Sequence, residues 1–325
     1  MEWQSDILGP GFQSSAFEAV GRDGIRRRAT LVRFTPDALD AQDPRPSAPR
    51  RAVLFLHGWS DYFFNVELAR FWDGEGFEFF ALDMHNHGRS LQPGTHGGYV
   101  ADLGNYDAEI GTAVSMITDS GGGGPVQLVL MGHSTGGLVA ALWASRNPGA
   151  VSHLVLNSPW LEMHRSALVR RAAWTMVEPI ARLRPEAVLR LPERGFYWRS
   201  ISNSADGEWT LDDAYRPPLA FPVRAAWLSA ILAGQAKVAR GLEIQVPVLV
   251  LLSAASENGM VWNEEMRRTD AVLDVNTIAA RAVSLGRSVT VERIDGALHD
   301  VFLSRAAVRD DAYGRLARWI RGYAT

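Results

Sequence analysis

The feature that most constrains this chain is residues 128–148, LVLMGHSTGGLVAALWASRNP, where an apolar run meets a helix-patterned run across Gly132-His133-Ser134-Thr135-Gly136. A turn this short between strand and helix strains the backbone at its centre, and side chains two positions to either side would collide with both elements. Glycine at 132 and 136 removes those collisions. Ser134 at the apex is a candidate nucleophile; the plain alternative is a tight turn that happens to carry a serine. The strand before it and the helix after it favour the nucleophile.

The surrounding chain supplies the framework such a turn needs. Apolar runs recur as AVLFLHG, FEFFALD, VQLVLMG, VSHLVLN, VPVLVLLS and SVTVERI, with helix-patterned stretches at about 63–75, 101–118, 135–147, 274–285 and 304–323. Strands apolar along their whole length, alternating with helices, predict a mostly parallel sheet covered on both faces, an α/β fold. Ahead of it, 17–20 and 29–34 flank the turn signal GRDG and predict an antiparallel hairpin. The proline-bearing 35–50 reads as an exposed connection and the glycine run 121–124 as a turn.

The strand–helix rhythm stops between VSHLVLN and VPVLVLLS. Residues 159–241 are rich in Trp and Arg and broken by Pro179, Pro185, Pro192, Pro217, Pro218 and Pro222, which predicts short kinked helices. The expected division is a core domain, 1–158 and 242–325, and an inserted helical cap, 159–241, over the strand edge where open α/β sheets bind ligands. At 325 residues such a chain can bury a large core.

Composition narrows the chemistry. There is no cysteine, which removes disulfides, thiolate metal ligands and thiol catalysis. The formal charge of −3, without a concentrated block of one sign, gives no electrostatic grip on nucleic acid. The opening MEWQSDILGPGF lacks the basic start and long apolar segment of a signal sequence, and no later run nears the ~20 apolar residues of a membrane span. The expectation is a cytoplasmic globular protein without stable membrane insertion; no sequence feature sets an oligomeric state.

A serine hydroxyl needs a base. His57 follows an early strand, His133 belongs to the elbow itself, and His85, His87 and His96 fall in a glycine-bearing loop. His299 follows the last predicted strand in RIDGALHDVFLS, where a loop can return its imidazole to the sheet edge; the alternative is a solvated or structural histidine. The acid that orients the imidazole should follow VPVLVLLS, which leaves Glu257, Glu264, Glu265, Asp270 and Asp274 open. An oxyanion hole needs two backbone donors. The N–H of Thr135 offers one at a helix N-terminus, and the N–H of Trp59, just past Gly58, offers the other unless HGWS is only a strand-ending turn. The histidines show no metal-ligand spacing, so no metal and no organic cofactor is expected.

Together these residues resemble the α/β-hydrolase superfamily, in particular its monoacylglycerol lipase and lysophospholipase-like branch of serine hydrolases. FLHGWSD is similar to that branch's oxyanion loop, ALDMHNHGRS to its Asp-rich glycine loop, LMGHSTGG to its elbow and IDGALHDVF to its terminal histidine motif. The likeness runs from residue 53 to the C-terminus, with the cap divergent. Two positions depart from it. Asn86 stands where many relatives carry glycine, and asparagine tolerates a left-handed backbone. Relatives place the acid within a few residues of the fifth strand in a pattern like DxxV, whereas SAASENGMVWNEEMRRTDAVLDV intervenes here. The resemblance points to Asp270 at the head of DAVLDV, with Asp274 as second choice.

What the resemblance implies is a carboxylic-ester hydrolase working through Ser134, His299, Asp270 and an acyl-enzyme. Its small-molecule substrate would be a monoacylglycerol, lysophospholipid or similar monoester with an apolar chain or aromatic acid. Cap aromatics, Trp160, Trp198 and Trp227 among them, would face that ester, although at any single position core packing is the commoner role. The cap's eleven arginines read mostly as a solvated face, with one or two able to meet a carboxylate or phosphate. Amide or C–C bond hydrolysis, perhydrolysis, or a non-catalytic binding role stays open on the same fold.

Overall fold

The computed structural model describes residues 2–36, 50–120, 125–163, 167–191 and 194–323. Most of the expected connection (37–49), the glycine run 121–124 and Pro192 lie outside the described residues.

One nine-stranded sheet organises the chain. Its strands are β1 (Gln4–Ser5), β2 (Phe12–Val20), β3 (Arg26–Phe34), β4 (Arg50–Leu56), β5 (Glu78–Asp83), β6 (Val126–His133), β7 (His153–Asn157), β8 (Val248–Ser253) and β9 (Val289–Ile294), in the order β1-β2-β3-β5-β4-β6-β7-β8-β9. The pairs from β5 through β4, β6, β7 and β8 to β9 are parallel, and β1, β2, β3 and β5 pair antiparallel. The hairpin is longer than expected, because the three consecutive polar residues Gln13, Ser14 and Ser15 near the start of β2 break the apolar/polar alternation and give little strand signal.

The apolar runs are continuous because both faces of the sheet are covered. Leu54, Leu130, Leu156 and Val250 lie in one buried cluster, while their neighbours Val53, Val129, Val155 and Leu249 lie in the other. Side chains alternate across a strand with period two, so a strand covered twice must be apolar throughout. Helices α1 (Val66–Gly74), α2 (Tyr106–Asp119) and α3 (Thr135–Arg146) fall between these strands. In the inserted segment lie α4 (Ala167–Leu183), α5 (Phe196–Ile201) and α6 (Ala225–Ala239), and after it come α7 (Val275–Ala282) and α8 (Ala306–Tyr323). α2, α3 and α6 cover one face, and α1 and α8 the other.

Three further details differ from the sequence expectation. SVTVERI was expected to be buried on both faces, but β9 is an edge strand with only Ile294 fully buried. α4 continues for seventeen residues with Pro179 inside it, where shorter pieces broken at the prolines were expected. A proline removes one rung of a helix ladder, and the helix-forming residues around this one carry the element across it. Finally, α6 falls within 159–241 but is built into the core: Ile231, Leu232 and Val238 are buried in the same cluster as Leu138 and Leu142 of α3.

Candidate active site

β6 ends at His133 and α3 begins at Thr135, so Ser134 is the whole turn, with φ 52° and ψ −117°. Such a non-glycine conformation costs about 1–3 kcal/mol and persists only when its surroundings over-determine it. Here the Ser134 N–H donates to the Asn157 carbonyl at 3.0 Å, and the Ser134 carbonyl accepts from Leu138 (3.2 Å) and Trp160 (3.0 Å). The flanking glycines admit no substitute: a Cβ on Gly132 would stand 2.5 Å from the Gly136 carbonyl oxygen, and one on Gly136 would stand 2.2 Å from that of His57.

The structure brings His299 to this serine. Its Nε2 lies 3.0 Å from the Ser134 hydroxyl, and its Nδ1 lies 2.9 Å from Asp270 Oδ2. Asp270 is fully buried, and its other oxygen accepts the N–H groups of Val272 (2.8 Å) and Leu273 (2.7 Å), so the carboxylate is held at both ends. A carboxylate on Nδ1 fixes the tautomer with the proton there, leaving Nε2 to accept from serine. The long stretch between Ser253, where β8 ends, and Asp270 is closed by pairing. Ser256 and Asp270 form a parallel bridge, the Asp270 N–H donates to Ala255 and its carbonyl accepts from Glu257, each at 3.0 Å. The insertion therefore leaves the sheet and returns to the same strand end. Asp274 plays another part, since its Oδ1 accepts the N–H groups of Asn276 and Thr277 as the N-cap of α7.

The loop after β4 lies against the elbow. A Cβ on Gly58 would stand 3.2 Å from the His133 ring and 3.4 Å from Ser134 Cβ, so a side chain there would push the loop away from the serine. His57 pins this loop: its Nε2 accepts the Met84 N–H at 3.1 Å, which leaves Nδ1 to donate to the Gly58 carbonyl at 2.7 Å. The backbone N–H groups of Trp59 and Thr135 meet no protein acceptor among the described residues. In the glycine loop Asn86 adopts φ 62° and donates to the Tyr99 carbonyl at 2.8 Å, the left-handed state expected of it.

Ser134 and His299 open onto a cavity of about 1420 Å³. Trp160, Trp198 and Trp227 all line it, and Trp227 also stacks on the Trp59 indole with ring centres 4.4 Å apart. Met176, Val177 and Ile180 of α4 form an apolar wall, and Asp61, Arg216 and Tyr197 a polar one.

Comparison with known proteins agrees with this architecture. A family model described as serine aminopeptidase, S33, matches residues 47–305, well over half of the chain. The chain belongs to this α/β-hydrolase family. It is 28% identical to a monoacylglycerol lipase of Mycolicibacterium smegmatis over 153 residues, 45% of this chain and 53% of that protein, so the match spans about half the relative's length. Among solved structures it is similar to a Paleococcus ferrophilus monoacylglycerol lipase, with a TM-score of 0.61, 18% identity, and coverage of 83% of this chain and 94% of the other. A carboxyl esterase from Bacillus coagulans gives a TM-score of 0.65 at 14% identity over 98% of this chain and all of that one. At these identities the likeness in structure is one of fold.

Several residues that hold this site together had no such role in the sequence reading. Asn157, at the end of β7, donates to Asp300 at 2.6 Å and accepts from the Val301 N–H at 3.2 Å, which clamps the loop just past His299. A polar residue ending an apolar run was the signal. Arg216 is buried and paired with Asp61. Burial opposes its charge, but the Asp61 carboxylate and the Tyr197 phenol more than reverse this, and the guanidinium pKa is raised. His133 is fully buried, which lowers its pKa, so the ring beside His299 is neutral and donates from Nδ1 to the Asn157 carbonyl at 3.1 Å.

Proposed function

We propose that this protein is a serine carboxylic-ester hydrolase acting on monoacylglycerols, lysophospholipids or similar monoesters with an apolar acyl chain. The observation that carries the reading is the hydrogen-bonded line from Asp270 through His299 to Ser134, opening on a large cavity with an apolar wall along α4. In the first step His299 Nε2 takes the Ser134 proton as Oγ attacks the ester carbonyl. The N–H groups of Trp59 and Thr135 receive the developing oxyanion, and Asp270 stabilises the imidazolium without taking its proton. His299 then protonates the departing alcohol. In the second step it deprotonates water, which releases the acid and restores Ser134. No step calls for a metal or cofactor, and no group of three His, Cys, Asp or Glu among the described residues has metal-binding geometry. No helix among the described residues is long and apolar enough to cross a membrane.

The test is a panel of acyl p-nitrophenyl esters and monoacylglycerols of increasing chain length, run with wild type and Ser134→Ala. Expected are hydrolysis by wild type, a loss on the order of 10⁴-fold or more in the variant, and fluorophosphonate labelling only where Ser134 is present. The family's description as a serine aminopeptidase keeps one second reading, amide hydrolysis. Aminoacyl p-nitroanilides turned over faster than every ester would favour it, and no labelling at all would remove both.

A further inference from the structure

The loop that carries the Trp59 N–H is tied to the cap at three consecutive residues. Ser60, held at φ 54°, accepts the Phe221 N–H on its hydroxyl at 2.9 Å. Asp61 accepts the guanidinium of Arg216. The Tyr62 hydroxyl accepts the Asp212 N–H at 3.0 Å, while the Tyr62 and Tyr215 rings meet edge-on with centres 5.2 Å apart. All these partners lie within residues 212–221, so one short cap segment grips the strand-end loop on three sides.

The central tie is a buried ion pair, with side chains only 8% and 7% exposed. Taking two opposite charges out of water returns little stability, and an apolar pair would fill the same space as well. Direction is what the pair adds. Asp61 Oδ1, which receives the guanidinium, also accepts the Tyr62 N–H at 2.9 Å, so ion pair and loop turn share one atom. On its other side the guanidinium lies 5.1 Å from the ring centre of Tyr197, whose ring meets that of His299 edge-on at 5.2 Å.

We propose that Arg216 is a positioning residue for the oxyanion hole. Through Asp61 it holds residues 59–62 so that the Trp59 N–H stays aimed at the ester oxyanion, which makes 212–221 part of the catalytic apparatus as well as a wall. This rests on the ester-hydrolase reading above. Because Arg216 also lines the cavity, the competing role is direct contact with substrate.

The experiment compares wild type, Arg216→Lys, Arg216→Met and the double variant Asp61→Leu/Arg216→Met on p-nitrophenyl, methyl and glyceryl esters of one fatty acid. Tm and the rate of fluorophosphonate labelling are measured on each. Loss of a single oxyanion donor costs roughly 10²–10³ in kcat, so a misaimed one should cost about 10- to 100-fold in Arg216→Met, with KM little changed and Arg216→Lys intermediate. An oxyanion forms whatever the alcohol, so the factor should be the same for all three esters, and labelling should slow by it too. The double variant leaves no charge unpaired and should recover Tm but not kcat. Recovery of kcat along with Tm, a loss confined to KM, or a loss that changes with the alcohol would overturn the proposal. If wild type hydrolyses no ester, the ester reading fails by itself and labelling still decides: equal rates in wild type and Arg216→Met overturn the positioning role.

Discussion

The two regions that meet at the cavity are built to different tolerances. On the sheet side, Ser134, His299 and Asp270 stand on loops leaving strand ends, each side chain is hydrogen-bonded, and the serine and the acid are held by backbone groups as well. On the cap side, α4 presents apolar side chains to the cavity while Met176 remains 73% and Leu183 84% exposed. One region fixes atoms to within a hydrogen bond; the α4 wall offers a surface of a certain character. The proposed chemistry demands the first, and recognition of the flexible acyl chain proposed as its substrate is content with the second.

The largest single effect belongs to the sheet side. Asp270→Asn keeps the shape and an oxygen for the Val272 and Leu273 N–H groups, but its amide cannot hold the proton on His299 Nδ1 as a carboxylate does. We expect kcat to fall by about 10⁴ with Tm nearly unchanged. Turnover within tenfold of wild type would break the contrast at its strongest point.

The α4 wall should answer more softly and only to long substrates. Ile180 lies on the α4 wall and is 41% exposed, so glutamate there can reach water without unfolding the helix. Ile180→Glu should raise KM for a long-chain ester about tenfold, as expected from losing roughly two buried methylenes of contact, and leave an acetate ester untouched. An equal effect on acetate would mean that this wall acts on the chemistry and not only on the chain.

Acid should find the sheet side first. His87 and His133 are both fully buried, and burial lowers the pKa of each below 6.5. The unfolded chain therefore binds protons that the folded one refuses. Stability is complete above the unfolded value near 6.5 and falls as pH drops below it. Calorimetry from pH 7.5 to 5.5 should show a falling Tm, with a shallower fall in His87→Gln; a flat profile would show that neither ring stays neutral in the fold.

How far the sequence announced this arrangement follows the same divide. Ser134 was legible because strand, elbow and helix leave glycine no substitute at 132 and 136, and such intolerance is written in residue types. Asn86 was legible for the same reason. Asp270 took the family resemblance, because nothing local says that an insertion beginning at Ala254 will return to pair Ser256 with Asp270. α4 and Arg216 were out of reach: the helix carries a proline that argues against it, and an arginine among eleven in the cap gives no sign that it is the one buried against Asp61 among the described residues. Contacts made across the fold leave no local pattern to read.

The smallest effect is also the sharpest control. Asp274 lies four residues beyond Asp270 and shares its chemistry, yet its carboxylate caps α7 through Asn276 and Thr277 and also accepts the Thr277 hydroxyl at 3.0 Å. Removing such a cap costs about 1 kcal/mol, which in a domain of this size lowers Tm by only about 2 °C. Asp274→Ala should therefore move the melting curve slightly and kcat by no more than about twofold, since no proton passes through it. Comparing its thermogram and kcat with those of Asp270→Asn separates the two roles cleanly, because one variant should lose stability without chemistry and the other chemistry without stability. A kcat that collapsed in Asp274→Ala would mean that the line from acid to serine runs through the wrong carboxylate, and that the return of the insertion to the strand end serves α7 rather than His299.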